Sequence, residues 1–287
     1  MSAKLKTVLK LALSVVIIWL VLRGIDERML LATMREAHLG WLLWAAVWFV
    51  FSKILSAVRF SILLKTENIQ LPTGQNLRLY WLGMYYNLLL PGGISGDGYK
   101  IKILMDTFGA PFKRLFAVTL LDRVGGAIAL GQLCLVLAFG IPALQQYWWL
   151  GVLGLLGSIP VSLLIYKKLG GALSQVWART SLLSLAVQVA QLVATLGIVL
   201  SLGESVRWLE YSVLFLISSV VAMLPLTIGG TGARELTFLW GAGILNIDSE
   251  KAVAIAFLFY LISTAVAFVG VAFSFSNAEL IKVDKGL

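Results

Sequence analysis

The 287-residue chain is 60% hydrophobic and only 13% charged, with a mean hydropathy of +0.93, a composition too apolar for a chain that folds in water. Its repeated apolar runs of about 20 residues match the hydrocarbon thickness of a bilayer and leave no room for an aqueous domain. The formal charge of +9, from 23 basic against 14 acidic residues, reads as cytoplasmic loops facing anionic lipid rather than a nucleic-acid surface.

Lys4, Lys6 and Lys10 precede a first apolar stretch, Leu11 to Leu22. A secretory signal peptide begins this way, but no small-residue cleavage site follows, and Arg23 and Asp26 come directly after. The stretch is therefore read as an uncleaved first span. Further apolar runs cover 39–64, 76–90, 115–139, 147–166, 181–202, 211–224 and 252–275. The runs at 76–90 and 211–224 extend only about 20 to 22 Å as helices. Each ends in a break rich in proline and glycine. The lone cysteine, Cys134, lies inside an apolar run and cannot form an internal disulfide. Trp41, Trp44, Trp148, Trp149, Trp177 and Trp208 read as interface anchors.

The two breaks resemble each other: LPGGISGDGYK at 90–100 and LPLTIGGTGAR at 224–234. Aligned on Pro91 and Pro225, they share Ile94/Ile228, Gly96/Gly230, Gly98/Gly232 and a basic residue, Lys100/Arg234. A long span, a charged loop and a short apolar helix precede each break. A short amphipathic segment, a loop and a long span follow it. The chain thus reads as a single membrane domain made of two halves, about 1–139 and 140–287.

Loop charge decides how the short helices lie. If each pair returns to the side it entered, there are six full spans and both termini are cytoplasmic. Lys4, Lys6, Lys10, Lys65, Arg78, Lys113, Arg114, Lys167, Lys168, Arg179, Lys282 and Lys285 then lie inside, twelve against the five outside, Arg23, Arg28, Arg35, Arg207 and Lys251. If each pair makes a net crossing, the same residues divide eight inside and nine outside. That division removes the bias that orients membrane proteins. The expected fold is therefore an all-α integral membrane protein: six transmembrane helices plus two oppositely oriented re-entrant hairpins related by an inverted repeat. The hairpin tips should meet near the midplane.

Irregular backbone at that depth must be buried in protein or line a wet cavity. Each tip starts a helix whose free N–H groups suit an anion such as phosphate, and glycines at the tips let a ligand approach the backbone. Tight helix packing is the other use of the same glycines. Asp97 either caps the first tip helix or takes up protons in a transport cycle. Asp122 and Arg123 pair with each other or with the hairpin, as structural ion pairs or as ligand contacts. Lys53 falls near the middle of the second span; Arg59, nearer its cytoplasmic end, is expected to snorkel. Glu235 follows Arg234 at the second tip. Gln188 and Gln191, three residues apart on one helical face, are expected to serve helix packing, with cavity lining the lesser alternative.

His38 is the one histidine and lies in an outer loop. No His/Cys metal cluster or Ser-His-Asp arrangement can be assembled, and no Walker-type loop occurs, so no cofactor and no metal are expected. Asp26 and Glu27, in the first outer loop, are the single acidic pair that would suit a membrane glycosyltransferase holding a metal and a lipid-phosphate donor; such a pair is usually just solvated.

These residues resemble a known family, the membrane (flippase) domain of lysylphosphatidylglycerol synthases and its stand-alone relatives. The resemblance runs from the second span to the last. It rests on Arg59 with Leu63 and Leu64, on Asn87 to Pro91 with Gly96, Asp97 and a basic residue at 100, on Leu121, Asp122, Arg123 and Gly125, and on Leu224 and Pro225 leading to Ile228, Gly229, Gly230, Gly232, Arg234 and Glu235. Lys100 stands where the family would accept an arginine. No soluble aminoacyl-transferase segment accompanies these 287 residues, so lysyl transfer is not expected of them. The resemblance implies a transporter-like protein rather than an enzyme, a flippase moving a phospholipid or a polyprenyl-phosphate-type lipid between leaflets of the inner (cytoplasmic) membrane. The expected substrate contacts are Arg59, Asn87, Gly96, Asp97, Lys100, Asp122, Arg123, Gly230, Gly232, Arg234 and Glu235. The alternatives are an enzyme of lipid-linked sugar assembly working through Asp26 and Glu27, and a non-catalytic scaffold for a partner lipid-modifying enzyme.

Overall fold

The computed structural model describes residues 32–89, 95–223 and 232–274. The first expected span, Asp26 and Glu27, both prolines of the repeated motif and Gly230 lie outside the described residues, as do both termini. The described residues are mostly helical, with no strand among them. The helices are α1 (Leu39–Lys65), α2 (Thr73–Leu89), α3 (Ser95–Phe108), α4 (Phe112–Ala138), α5 (Trp148–Leu169), α6 (Gly171–Gln175), α7 (Trp177–Ser201), α8 (Trp208–Met223), α9 (Ala233–Leu245), α10 (Ser249–Phe268) and α11 (Val271–Ser274). A 3₁₀ turn, Pro142–Tyr147, leads into α5.

Five stretches are long and apolar enough to cross a membrane: Leu39–Lys65, Phe112–Ala138, Pro142–Leu169, Trp177–Ser201 and Ser249–Phe273. They correspond to five of the six long spans expected from sequence. The short runs fall on α2 and α8, and each is followed past its break by a second short helix, α3 or α9. The order long helix, short pair, long helix in 39–138 recurs in 177–268.

The core is the contact between α1 and α7, which run antiparallel. The His38 N–H donates to the Ser201 carbonyl at 2.8 Å at one end, and Arg59 Nη1 donates to Ser184 Oγ at 2.8 Å near the other. Small residues permit the close approach: Ala45, Ser52, Ser56 and Ala57 on α1, and Ala190, Ala194 and Gly197 on α7. A Cβ on Gly197 would sit 3.1 Å from the Trp41 carbonyl oxygen. This is the means by which membrane helices gain dispersion contact where burial from water supplies no driving force. The buried serine hydroxyls are satisfied within their own helix, as when Ser56 donates to the Ser52 carbonyl at 2.9 Å.

Helix α4 packs against α1, α3, α7 and α8. It follows a left-handed turn at Gly109, φ +65°, a conformation glycine adopts without penalty. Helix α5 is peripheral, and its Leu153, Leu156, Ile159 and Leu164 are exposed as a lipid-facing stripe. The expected anchors Trp41, Trp44, Trp148, Trp149, Trp177 and Trp208 all sit at the starts of helices.

Candidate functional site

Helices α1, α2, α3, α4 and α7, with Met223 at the end of α8, line a cavity of about 250 Å³. Its charge comes from Lys53, Arg59, Lys100 and Arg123 against Asp97 and Asp122. Four cations facing two carboxylates leave a net +2 in the interior, where charge is costly and is retained for a purpose.

Asp122, on the buried face of α4, accepts from Arg59 Nε at 2.8 Å. Arg59 also donates to Ser184 on α7 at 2.8 Å. The expectation that Arg59 snorkels is therefore corrected: it is only 5% exposed, because α4 and α7 close over α1 and supply a carboxylate at its own depth. Nor does Asp122 pair with its neighbour. Adjacent residues on a helix point about 100° apart, and Arg123 turns to the first hairpin, donating Nε to Asp97 Oδ2.

Asp97 lies in the first turn of α3 and bridges two cations. Its Oδ1 is 2.8 Å from Lys100 Nζ, while its other oxygen takes Arg123. Of its two expected roles, capping is not where this carboxylate is engaged. Lys100 is buried, its ammonium 4.4 Å from the Phe60 ring centre and 5.0 Å from that of Tyr80. Cation–π attraction thus holds the lysine beside the carboxylate. Its aliphatic stem fits because residue 83 is glycine: a Cβ there would lie 2.9 Å from Lys100 Cδ.

Asn87 lines the cavity and accepts from the Gly96 N–H at 2.9 Å. Gly96 itself serves packing. A Cβ at Gly96 would collide with the Gly83 carbonyl, so this glycine lets α3 lie on α2 and is not open to a ligand as expected.

The second tip is arranged differently. Gly232, at φ +83°, precedes α9 and donates its N–H to Glu235 Oε2 at 2.8 Å. Glu235 therefore satisfies a free amide of its own helix start. Arg234 donates to Ser218 and Ser219 at 3.0 Å each and lies over the rings of Phe259 and Phe215, at 4.8 and 5.4 Å. Arg234, Glu235 and Gly232 do not line the cavity. An aromatic bridge nevertheless connects the two regions. Phe259 meets Phe49 edge-on at 5.4 Å, and Lys53 Nζ lies 4.4 Å over Phe49.

Three cavity residues had weaker sequence signals. Lys53 was visible only as a charge in mid-span. Gln188 and Gln191, expected to serve helix packing, both line the cavity. Gln188 does both, donating Nε2 to the Gly126 carbonyl at 3.2 Å. A polar pair three residues apart on an apolar helix was the signal available, and it marked a wet face. Among the described residues no cluster of His, Cys, Asp and Glu is close enough to hold a metal. A larger groove of about 620 Å³ between α8 and α9, lined by Leu214, Ile217, Trp240 and Ile244, has no charged side chain among the described residues.

A family model described as lysylphosphatidylglycerol synthase TM region matches residues 7–173 and 164–270. No curated protein matches the chain. The matched segments cover most of the sequence, including every residue that lines the charged cavity, and the chain belongs to the lysylphosphatidylglycerol synthase TM region family.

Proposed function

We propose that this protein is a lipid flippase of the inner membrane, whose charged cavity holds the phosphate of a phospholipid or polyprenyl-phosphate-type lipid during passage between leaflets. The observation that carries this reading is the cavity's net +2, from Lys53, Arg59, Lys100 and Arg123 over Asp97 and Asp122, beside the start of α3. A headgroup crossing the bilayer loses its hydration. Buried cations replace that hydration with charge-assisted contacts to the phosphate. In this reading the helix pairs α2–α3 and α8–α9 are re-entrant hairpins entering from opposite sides, the chain makes six crossings with both termini cytoplasmic, and the two halves rock about the site. The matching element order of the halves and the antiparallel α1–α7 contact support that arrangement.

Lys100 and Arg123 are the phosphate contacts. They share Asp97 in the absence of lipid and exchange that carboxylate for the headgroup. The test is reconstitution in liposomes with labelled phospholipid. Wild type should scramble the label, and Lys100→Ala and Arg123→Ala should slow it at least about tenfold, the loss expected for a charge-assisted contact. Undiminished scrambling in both variants rejects the site.

A further inference from the structure

Two groups in the cavity lack the partner their chemistry requires. Lys53 has no carboxylate within ion-pair distance and no hydrogen-bond acceptor among the described residues, although the other three cavity cations are each paired. Gln188 is only 5% exposed, and its Oε1 has no donor among the described residues. The amide orientation is set, because Nε2 must face the Gly126 carbonyl at 3.2 Å. The oxygen is then the end left without a donor. A buried acceptor left without a donor is costly, a cost that a bound donor removes.

The antiparallel register of α1 and α7 brings these two groups to one depth. Residue 38 lies opposite 201 and residue 59 opposite 184, which sets Lys53 level with Gln188, and both line the same cavity. A ligand that completes both must offer an anionic oxygen to the ammonium and an O–H to the amide oxygen. An ammonium donor is disfavoured beside four cations. A quaternary amine has no donor at all.

Resting on the reading of this cavity as a headgroup site, we propose that Lys53 and Gln188 form a specificity pair for a lipid phosphate that carries an O–H donor. Lys53 takes a phosphoryl oxygen and Gln188 Oε1 accepts the hydroxyl hydrogen. The hydroxyl has two chemical sources: a polyol esterified to the phosphate, or the P–OH of a phosphomonoester.

Binding to the purified full chain, measured by displacement of a fluorescent phosphatidylglycerol, separates these possibilities. The four competitors are dioleoyl phosphatidylglycerol, phosphatidic acid, phosphatidylmethanol and phosphatidylcholine. Phosphatidylmethanol is an anionic diester without any O–H. Phosphatidylglycerol or phosphatidic acid should compete roughly tenfold better than phosphatidylmethanol, the discrimination expected of one buried hydrogen bond. Preference for the first identifies the polyol hydroxyl, and preference for the second the phosphomonoester. Gln188→Leu should abolish the preference and keep affinity for phosphatidylmethanol. Lys53→Met should weaken all three anionic lipids by about tenfold and leave their ratios unchanged. The wild-type series decides the matter even if a variant fails to fold. Equal competition by all three anionic lipids overturns the specificity pair and leaves the anion site standing. Equal competition by phosphatidylcholine as well overturns the headgroup site itself.

Discussion

Arg59 Nε lies 2.8 Å from Asp122 Oδ1, tying α1 to α4 in the interior, and the same guanidinium reaches Ser184 on α7. Three helices therefore converge on one ion pair whose members are 6% and 7% exposed. Removing one partner leaves the other charge buried without its counterion, which costs about 3–5 kcal/mol in comparable sites. Arg59→Met and Asp122→Leu should each lower the melting temperature in detergent steeply. The double variant should recover a large part of the loss, because apolar replacement of a whole buried pair is often near neutral. Additive losses in the thermal denaturation cycle would show that the pair is not coupled.

Asp97 neutralises Lys100 and Arg123 together, and so competes with any anion for both. Asp97→Asn should raise the affinity for an anionic lipid several-fold, whereas Lys100→Ala should lower it. Titration of the purified variants with phosphatidylglycerol checks the sign. Weaker binding by Asp97→Asn would mean that the carboxylate organises the cations instead of competing for them.

Gly96 and Gly98 stand two residues apart at the start of α3 and should respond oppositely to alanine. A methyl at 96 meets the Gly83 carbonyl, while one at 98 meets nothing among the described residues. Gly96→Ala should destabilise by about 1–3 kcal/mol, since α3 must lift from α2; Gly98→Ala should stay within about 0.5 kcal/mol. Melting temperatures of the two variants decide this.

Glu204 gives the loop between α7 and α8 an acid-sensitive contact with α10. Partial burial acts to raise its pKa, but the backbone N–H groups of Arg207 and Val206 and the Lys251 ammonium outweigh this and hold it below the ordinary value of 4.5. Its oxygens accept from Val206 and Arg207 at 3.0 and 3.1 Å and from Lys251 at 3.3 Å. With a depressed folded-state pKa, the contribution is fully present above about pH 4.5 and is lost as pH falls through the folded value. Wild type should therefore lose stability between pH 5 and 3 more than Glu204→Gln does, by a small margin that salt reduces. Melting curves across that range in low and high salt measure it.

The proposed opposed hairpins make a topological prediction. On a Cys134→Ser background, single cysteines placed near residues 110 and 247, just after α3 and α9, should react with an impermeant reagent from opposite sides of the membrane. Labelling of both from one side would remove the inverted arrangement.

The long apolar runs were legible from sequence because a span is a local signal: about 20 consecutive apolar residues suffice, whatever surrounds them. The helix–break–helix pattern of α2–α3 and α8–α9 was legible for a similar reason, since proline and glycine interrupt a helix wherever it is placed. Charged residues inside spans also announced themselves, because each is costly in isolation. Their partners did not. Asp122 and Arg123 are neighbours in the chain yet face different helices, and only the packing of α1, α3 and α7 around α4 assigns one to Arg59 and the other to Asp97. The same packing enclosed Arg59, kept Arg234 on its serines and aromatic rings outside the cavity, and turned Gln188 inward. Sequence determined that ionisable groups would lie inside a membrane protein, since hydropathy is a property of each segment. Which of those groups meet is a property of helix phase and contact between segments distant in the chain, 63 residues apart for Arg59 and Asp122, and that only the tertiary structure decided.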